Sequence, residues 1–225
     1  MPELELVIFD LAGTTIEDRG QVPASITTAL AEHGFEVTRE QVKGVRGSSK
    51  RQALLNLIPA GPQQTQRAEE VYASFRAHLA LRYACDGVQA IAGAIEVFHW
   101  LRERSIRIAL NTGFDRETTM LLLNALGWAE GMVDAIVCGD DVRLGRPAPY
   151  LIFRAIEAAG ANSVSRVANI GDTALDLEAG HNAGVRWNIG VLSGAHDRHL
   201  LERAPHTHLI DSVAKLPRLL ETLER

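Results

Sequence analysis

The chain has 225 residues, with 23 Lys plus Arg against 28 Asp plus Glu and a formal net charge of -5. That balance speaks against a nucleic-acid binder held by a general basic surface, and no apolar run approaches the roughly 20 residues of a membrane span. A hydrophobic share of 46% suits a globular protein with a substantial core. The acidic start Met1-Pro2-Glu3-Leu4-Glu5 shows no signal peptide. The cysteines, Cys85 and Cys138, lie far apart and read as small buried hydrophobes in a reducing, cytoplasmic compartment.

In chain order, the first apolar run is Leu6–Phe9, which reads as a buried strand ending at Asp10. The next strand-like run, Ile106–Leu110, comes too late for one crossover helix to fill the gap. Helical spacing fills it instead, over 24–34, 39–45, 50–58, 64–83 and 90–104, with Gly34, Pro59-Ala60-Gly61-Pro62 and Asp86-Gly87 as punctuation. Strand and helix then alternate: strands at 135–138, 167–170 and 187–191, helices at 117–126, 149–159 and 175–183, and a last loop, helix and strand. This pattern predicts an α/β fold, a parallel sheet with helices on both faces. The core comprises residues 1–17 and 88–225, and residues 18–87 form an inserted helical cap after the first strand.

Chemistry gathers at the strand ends, where open α/β sheets bind their ligands. Asp10 opens Asp10-Leu11-Ala12-Gly13-Thr14-Thr15, and a carboxylate so placed can attack phosphorus. Asn111-Thr112-Gly113-Phe114 offers a hydroxyl and backbone amides at the start of the next helix for a phosphate-like anion. Prolines beside Arg146 in Gly145-Arg146-Pro147-Ala148-Pro149 fix its backbone. Gly171-Asp172-Thr173-Ala174-Leu175-Asp176 puts two acids one helical turn apart, and Asp10 with Asp172 can hold Mg²⁺, a hard cation that needs oxygen ligands. Taken singly, each has an ordinary alternative: a helix cap, a turn, a solvated cation. Their order along the chain favours the functional reading.

With these motifs the chain resembles the haloacid dehalogenase superfamily over essentially its whole length: Asp10 to Thr15, Thr112, Arg146, and Gly171-Asp172 with Asp176. The resemblance implies a Rossmann-like core, a mobile cap that excludes water, Mg²⁺, and an aspartyl-phosphate on Asp10. It makes the Ala12 carbonyl a further metal ligand beside Asp10, Asp172 and Asp176. Thr14, Asn111 and Gly113, with Arg46 and Gly47 from the cap, would line the substrate. Most phosphatases of the superfamily carry a second Asp where Ala12 stands, to protonate the leaving alcohol and activate water. General acid–base help is typically worth about 10²–10⁴-fold, so simple monoester hydrolysis is handicapped.

The Asp-x-Ala-Gly-Thr-Thr form is similar to the phosphonatase branch, where a cap lysine forms a Schiff base with an aldehyde phosphonate and the C–P bond breaks toward an enamine. Its Gly-x-x-Lys loop aligns with Gly47 and Lys50 in Arg46-Gly47-Ser48-Ser49-Lys50. The chain departs from that branch at Arg46 (there Met), Ala53 (there His), Phe114 (there Tyr) and near Gly20 (there Cys). These departures suggest a different or larger anionic substrate. Three readings stay open: a phosphonatase-like hydrolase acting on a small anionic phosphonate or phosphate, a phosphomonoesterase on a small organophosphate, and a catalytically weak binding protein. His196, His199, His206 and His208 lack paired acids at ligand spacing and read as surface or partly packed residues. The stripe Val71, Phe75, Leu79 and Tyr83 reads as bundle core or the face of a homodimer formed through the cap.

Overall fold

The structure, a computed structural model, describes residues 4–223. Six parallel strands form one sheet: β1 (Leu6–Asp10), β2 (Arg107–Asn111), β3 (Ala135–Val137), β4 (Val167–Gly171), β5 (Trp187–Val191) and β6 (His208–Ile210), in the order β3-β2-β1-β4-β5-β6. Every residue of β1 is buried, which is why the strand reads as an unbroken apolar run instead of an alternating one. Val7 and Phe9 pack into the layer of α5 (Ala94–Glu103) and α10 (Leu216–Leu223). Leu6 and Ile8 pack into the opposite layer, with α7 (Tyr150–Ala159) and α8 (Ala174–Ala183).

Four helices stand between β1 and α5: α1 (Gln21–Glu32), α2 (Arg39–Gly44), α3 (Lys50–Leu57) and α4 (Gln64–Asp86). Both α1 and α3 pack on α4, and the stripe Val71, Phe75, Leu79 and Tyr83 is buried between them. That stripe is therefore internal core and is not available as a dimer face. The apolar cluster of the sheet runs through Leu11, Ile16 and Phe114 into this insert. No helix of the described residues is long and apolar enough to cross a membrane.

Most element expectations agree to within a few residues; the differences have local causes. Helix α1 begins at Gln21, ahead of the expected 24, because Pro23 falls in the first turn, where its missing N–H needs no partner. Helix α5 begins at Ala94, not Ala90. Ala90 is bridged to Ile16 and the Ile91 amide donates to the Thr15 carbonyl, so 90–93 straps the returning chain to the loop after β1. Helix α4 runs on past Tyr83 to Asp86. Helix α10, with Pro217 inside it, was assigned no helix from the sequence; its Leu216 and Leu220 are buried. Cys138 is buried as expected, but Cys85 is exposed, near the end of α4, the longest helix of the insert. His196 is half-buried and accepts the Ala174 amide, while His199 and His206 are exposed.

Candidate active site

Asp10 is the last residue of the central strand, paired in register with Asn111 of β2, while Phe9 faces Ile170 of β4. The loops after β1, β2 and β4 therefore open at one edge of the sheet, at the point where strand order reverses. Arg146 is buried in the middle of this edge. Its Nη1 lies 2.8 Å from Asp10 Oδ1 and 2.8 Å from Asp176 Oδ1, and its Nη2 donates to the Asn111 carbonyl at 3.1 Å and to the Asn111 side chain. The cation is thus engaged first by the protein itself, binding together the nucleophile candidate, the last acid and the end of β2.

Asp172 is gripped from two sides. Its Oδ2 accepts the Ala195 amide at 2.6 Å and its Oδ1 accepts the Thr14 hydroxyl at 3.4 Å. Gly13 has φ +97, and a Cβ there would stand 2.3 Å from Asp172 Oδ2, so the turn after Asp10 closes on Asp172 only because residue 13 is glycine. Asp176 completes a capping box at the start of α8: its Oδ2 accepts the amide (3.0 Å) and hydroxyl of Thr173. Thr14 and Asn111, expected to line the substrate, instead face Asp172 and Arg146 and lie outside the cavity lining. Thr112, Gly113 and Ala12 do line it. At the expected anion site at the start of the helix after β2, two groups are engaged by the protein. The Phe114 amide donates to the Thr112 hydroxyl at 3.2 Å, and α6 (Arg116–Leu126) is capped by the Asp115 side chain, which accepts the Thr118 amide at 2.8 Å.

The insert covers this edge. Lys50 opens α3, its amide donates to the Gly113 carbonyl at 3.0 Å, and its Nζ lies 3.4 Å from the Ser48 carbonyl and 4.8 Å from the Phe114 ring centre. Gly47 (φ +88) rests directly on the core, where an added Cβ would meet Thr173 Oγ1 at 2.3 Å. The enclosed cavity is about 30 Å³ and is lined by Asp10, Asp172, Arg146 and Thr112 from below and by Arg46, Gly47 and Lys50 from above. That is room for about one water, so the arrangement is a closed one.

One lining residue went unnoticed in the sequence. Asp18 has a side chain only 3% exposed; its Oδ1 accepts the amides of Gly20 (3.0 Å) and Val22 (3.4 Å), and its Oδ2 pairs with Arg46. Its place two residues before Gly20 reads as helix-start chemistry; nothing local points to a partner 28 residues on.

The electrostatics follow from burial. Desolvation lowers the Lys50 ammonium to about 8, with Arg46 and Arg146 pushing the same way and Asp10 and Asp18 opposing. Desolvation also raises both Asp10 and Asp172; the charges of Asp10 and Asp176 add to the rise at Asp172, while Arg146 counteracts it at Asp10. Asp10, Asp172 and Asp176 each offer a carboxylate oxygen, all within 4.8 Å of one another. Three buried carboxylates facing one another, with Arg146 the cation bridging two of them, form a hard oxygen donor set with negative charge in excess, which fits a divalent cation.

Residues 4–184 match the family of haloacid dehalogenase-like hydrolases, and the chain belongs to that family. It is accordingly an enzyme of hydrolase type, with the acidic cluster that can hold a metal at its sheet edge. Among curated relatives it is similar to phosphonoacetaldehyde hydrolase of Bordetella pertussis, 29% identical over 257 aligned positions that cover 98% of this chain and 92% of that protein. It is likewise similar to phosphonoacetaldehyde hydrolase of Vibrio vulnificus, at 28% identity over 99% of this chain and 95% of the relative. The fold is shared with the crystal structure of a phosphonoacetaldehyde hydrolase-like protein from Oleispira antarctica (TM-score 0.87, 23% identity, 99% of this chain and 93% of that one).

Proposed function

We propose that the protein is a Mg²⁺-dependent, phosphonatase-like hydrolase that cleaves the C–P bond of a small carbonyl phosphonate through an aspartyl-phosphate on Asp10. The observation that carries this reading is the pairing of a cap amine with an incomplete phosphatase site. Lys50 reaches into the cavity that holds Asp10, while Ala12, which cannot move a proton, lines it where a phosphatase would have an acid. In this reading residues 18–87 act as the cap and the rest as the core. The Lys50 amine adds to the substrate carbonyl and water leaves, giving an imine. Asp10 Oδ attacks phosphorus, and the electrons of the C–P bond move into the imine as an enamine, so no alkoxide has to be protonated. The enamine takes a proton from water at the carbon that phosphorus has left, giving the imine of the dephosphonated carbonyl compound; water then cleaves the acyl phosphate, and hydrolysis of the imine frees Lys50. When bound, Mg²⁺ offsets the repulsion between Asp10 and the anionic phosphoryl group. Asp10, Asp172 and the Ala12 carbonyl would hold it. Asp176 holds Arg146 and the start of α8 in place, and Thr112 and Arg146 stabilise the phosphoryl oxygens. The free thiols Cys85 and Cys138 suit a reducing compartment, and we assign the activity to the cytoplasm.

A second reading, hydrolysis of a small phosphomonoester with Lys50 as an anion receptor, is favoured by Ala53. One turn after Lys50, it leaves no proton carrier on that face of α3 for imine formation. The test is phosphate release with Mg²⁺ across carbonyl phosphonates and phosphomonoesters, for the native chain and Lys50→Arg. Turnover of carbonyl phosphonates that disappears in Lys50→Arg, together with a borohydride-trapped mass on Lys50, is the expected result. Monoester turnover that survives the substitution without any adduct would overturn it.

A further inference from the structure

Arg46 occupies an unusual position in the wall of the site. It lines the small inner cavity that holds Asp10, and with Pro23 and Val42 it also lines a groove of about 720 Å³ between α1 and α2 on the outer side. That groove carries three cations, Arg39, Lys43 and Arg46, with the hydroxyl-bearing Thr27 and Thr28; Lys43 Nζ lies 3.7 Å from Asp197 Oδ2, and among the described residues that line the groove there is no acid. The Arg46 side chain is 20% exposed, and its Nη2 is held by Asp18, whose other oxygen is already filled by the Gly20 and Val22 amides. The Arg46 amide donates to the Lys43 carbonyl at 3.2 Å, and among the described residues no other hydrogen bond from its guanidinium is seen, so most of the five guanidinium donors remain available. Asp18 thus fixes the direction of the guanidinium without satisfying it, a planar fork prepared for a bidentate acceptor.

Resting on the phosphonatase-like reading above, we infer that the substrate is a carbonyl phosphonate carrying a second anionic group, a carboxylate, which is received by Arg46 at the end of the cavity opposite Asp10. The two charged ends of such a molecule match the two arginines of the site. Arg146 sits beside Asp10 at the sheet edge, and Arg46 stands in the cap beside a basic groove that has room for the tail. The same cavity is lined by the apolar side chains Val22, Ile26 and Val45, which suit the carbon chain of such a ligand. Arg46 is then a specificity-determining residue and Asp18 its positioning residue.

Calorimetric titration with Mg²⁺ present tests this with two inert ligands of equal length, 3-phosphonopropionate and propylphosphonate. The expected result is binding of the carboxylated ligand at least about tenfold tighter than the propyl ligand, as charge-assisted pairing predicts. That ratio should fall to near one in Arg46→Met. Arg46→Lys keeps the charge without the fork and should give an intermediate ratio, which keeps the test valid if Arg46→Met does not fold. A wild-type ratio near one with both ligands bound overturns the inference and leaves the phosphonatase-like reading standing. A large ratio that survives in both variants places the carboxylate elsewhere and also overturns it. If neither inert ligand binds and no carbonyl phosphonate binds, the phosphonatase-like reading falls and the inference falls with it.

Discussion

Lys50 meets two opposed demands: it has to be charged to hold an anion and neutral to attack a carbonyl. Burial shifts the balance toward the second, lowering its ammonium to about 8, so that a minor share is neutral at pH 7. The sign is set by the neutral form being the nucleophile. Below that value the amine is protonated and silent, so kcat/KM for a carbonyl phosphonate should rise roughly tenfold per pH unit up to about pH 8 and then level off. A pH profile recorded beside that of a phosphomonoester checks this, because only the imine route needs the neutral amine. A flat profile for both would exclude Lys50 as the nucleophile toward carbon. At this scale much was legible: Asp10, Thr112 and Asp172 stand at strand ends, Lys50 opens a helix, Arg146 is marked by its flanking prolines, and the five converge on one cavity. Thr14 bonds Asp172 and Asn111 bonds Arg146, partners that residue type and position alone do not reveal.

Between elements, the closed arrangement depends on two contacts of α3 and α4 with the core. The loop before α3 lies so close to Thr173 that Gly47→Ala, at φ +88, would force it outward. The expected outcome is at least a tenfold loss of kcat/KM with little change in thermal midpoint, because the site is opened without disturbing the core; activity and melting measured on one preparation decide it. On α4, the Tyr72 hydroxyl donates to Asp115 Oδ2 at 2.6 Å, and Arg76 Nε lies 3.1 Å from the same oxygen, so the cap of helix α6 is also the anchor of the longest cap helix. Tyr72→Phe removes a hydrogen bond to a charged group, worth about 1.5 kcal/mol, and should lower stability in denaturant titration by that order while Arg76 retains Asp115. No measurable loss would show the anchor to be Arg76 alone. Neither contact was readable beforehand: Asp115 looks like an ordinary cap, and its partners lie 43 and 39 residues away.

For the whole molecule, the sheet edge gathers three buried carboxyl groups, desolvation raises two of them, Asp10 and Asp172, and folding carries that cost. A divalent cation bound only by the folded state should therefore stabilise it: at a hundredfold excess over Kd the gain is about 2.7 kcal/mol. With roughly 2–4 °C per kcal/mol for a chain of this size, Mg²⁺ should raise the thermal midpoint by roughly 5–10 °C, and Asp172→Asn should abolish the shift. An unchanged midpoint in native protein at millimolar Mg²⁺ would argue against the metal.

The sequence by itself determined the strands, the sheet class, the helical insert and the chemical character of the site. Each of these is encoded locally, in apolar periodicity and in the residue that ends a strand. Tertiary structure alone decided which carboxylate Arg146 binds, that Asp18 directs Arg46, that Tyr72 secures Asp115, and that Cys85 is exposed. These depend on segments far apart in the chain being brought within hydrogen-bonding distance by packing of the insert on the core, and no local pattern carries that information. Asp10 was visible as a candidate nucleophile from its hexapeptide and the motifs that follow it; what confronts it from the helical insert became visible only when the chain had folded over it.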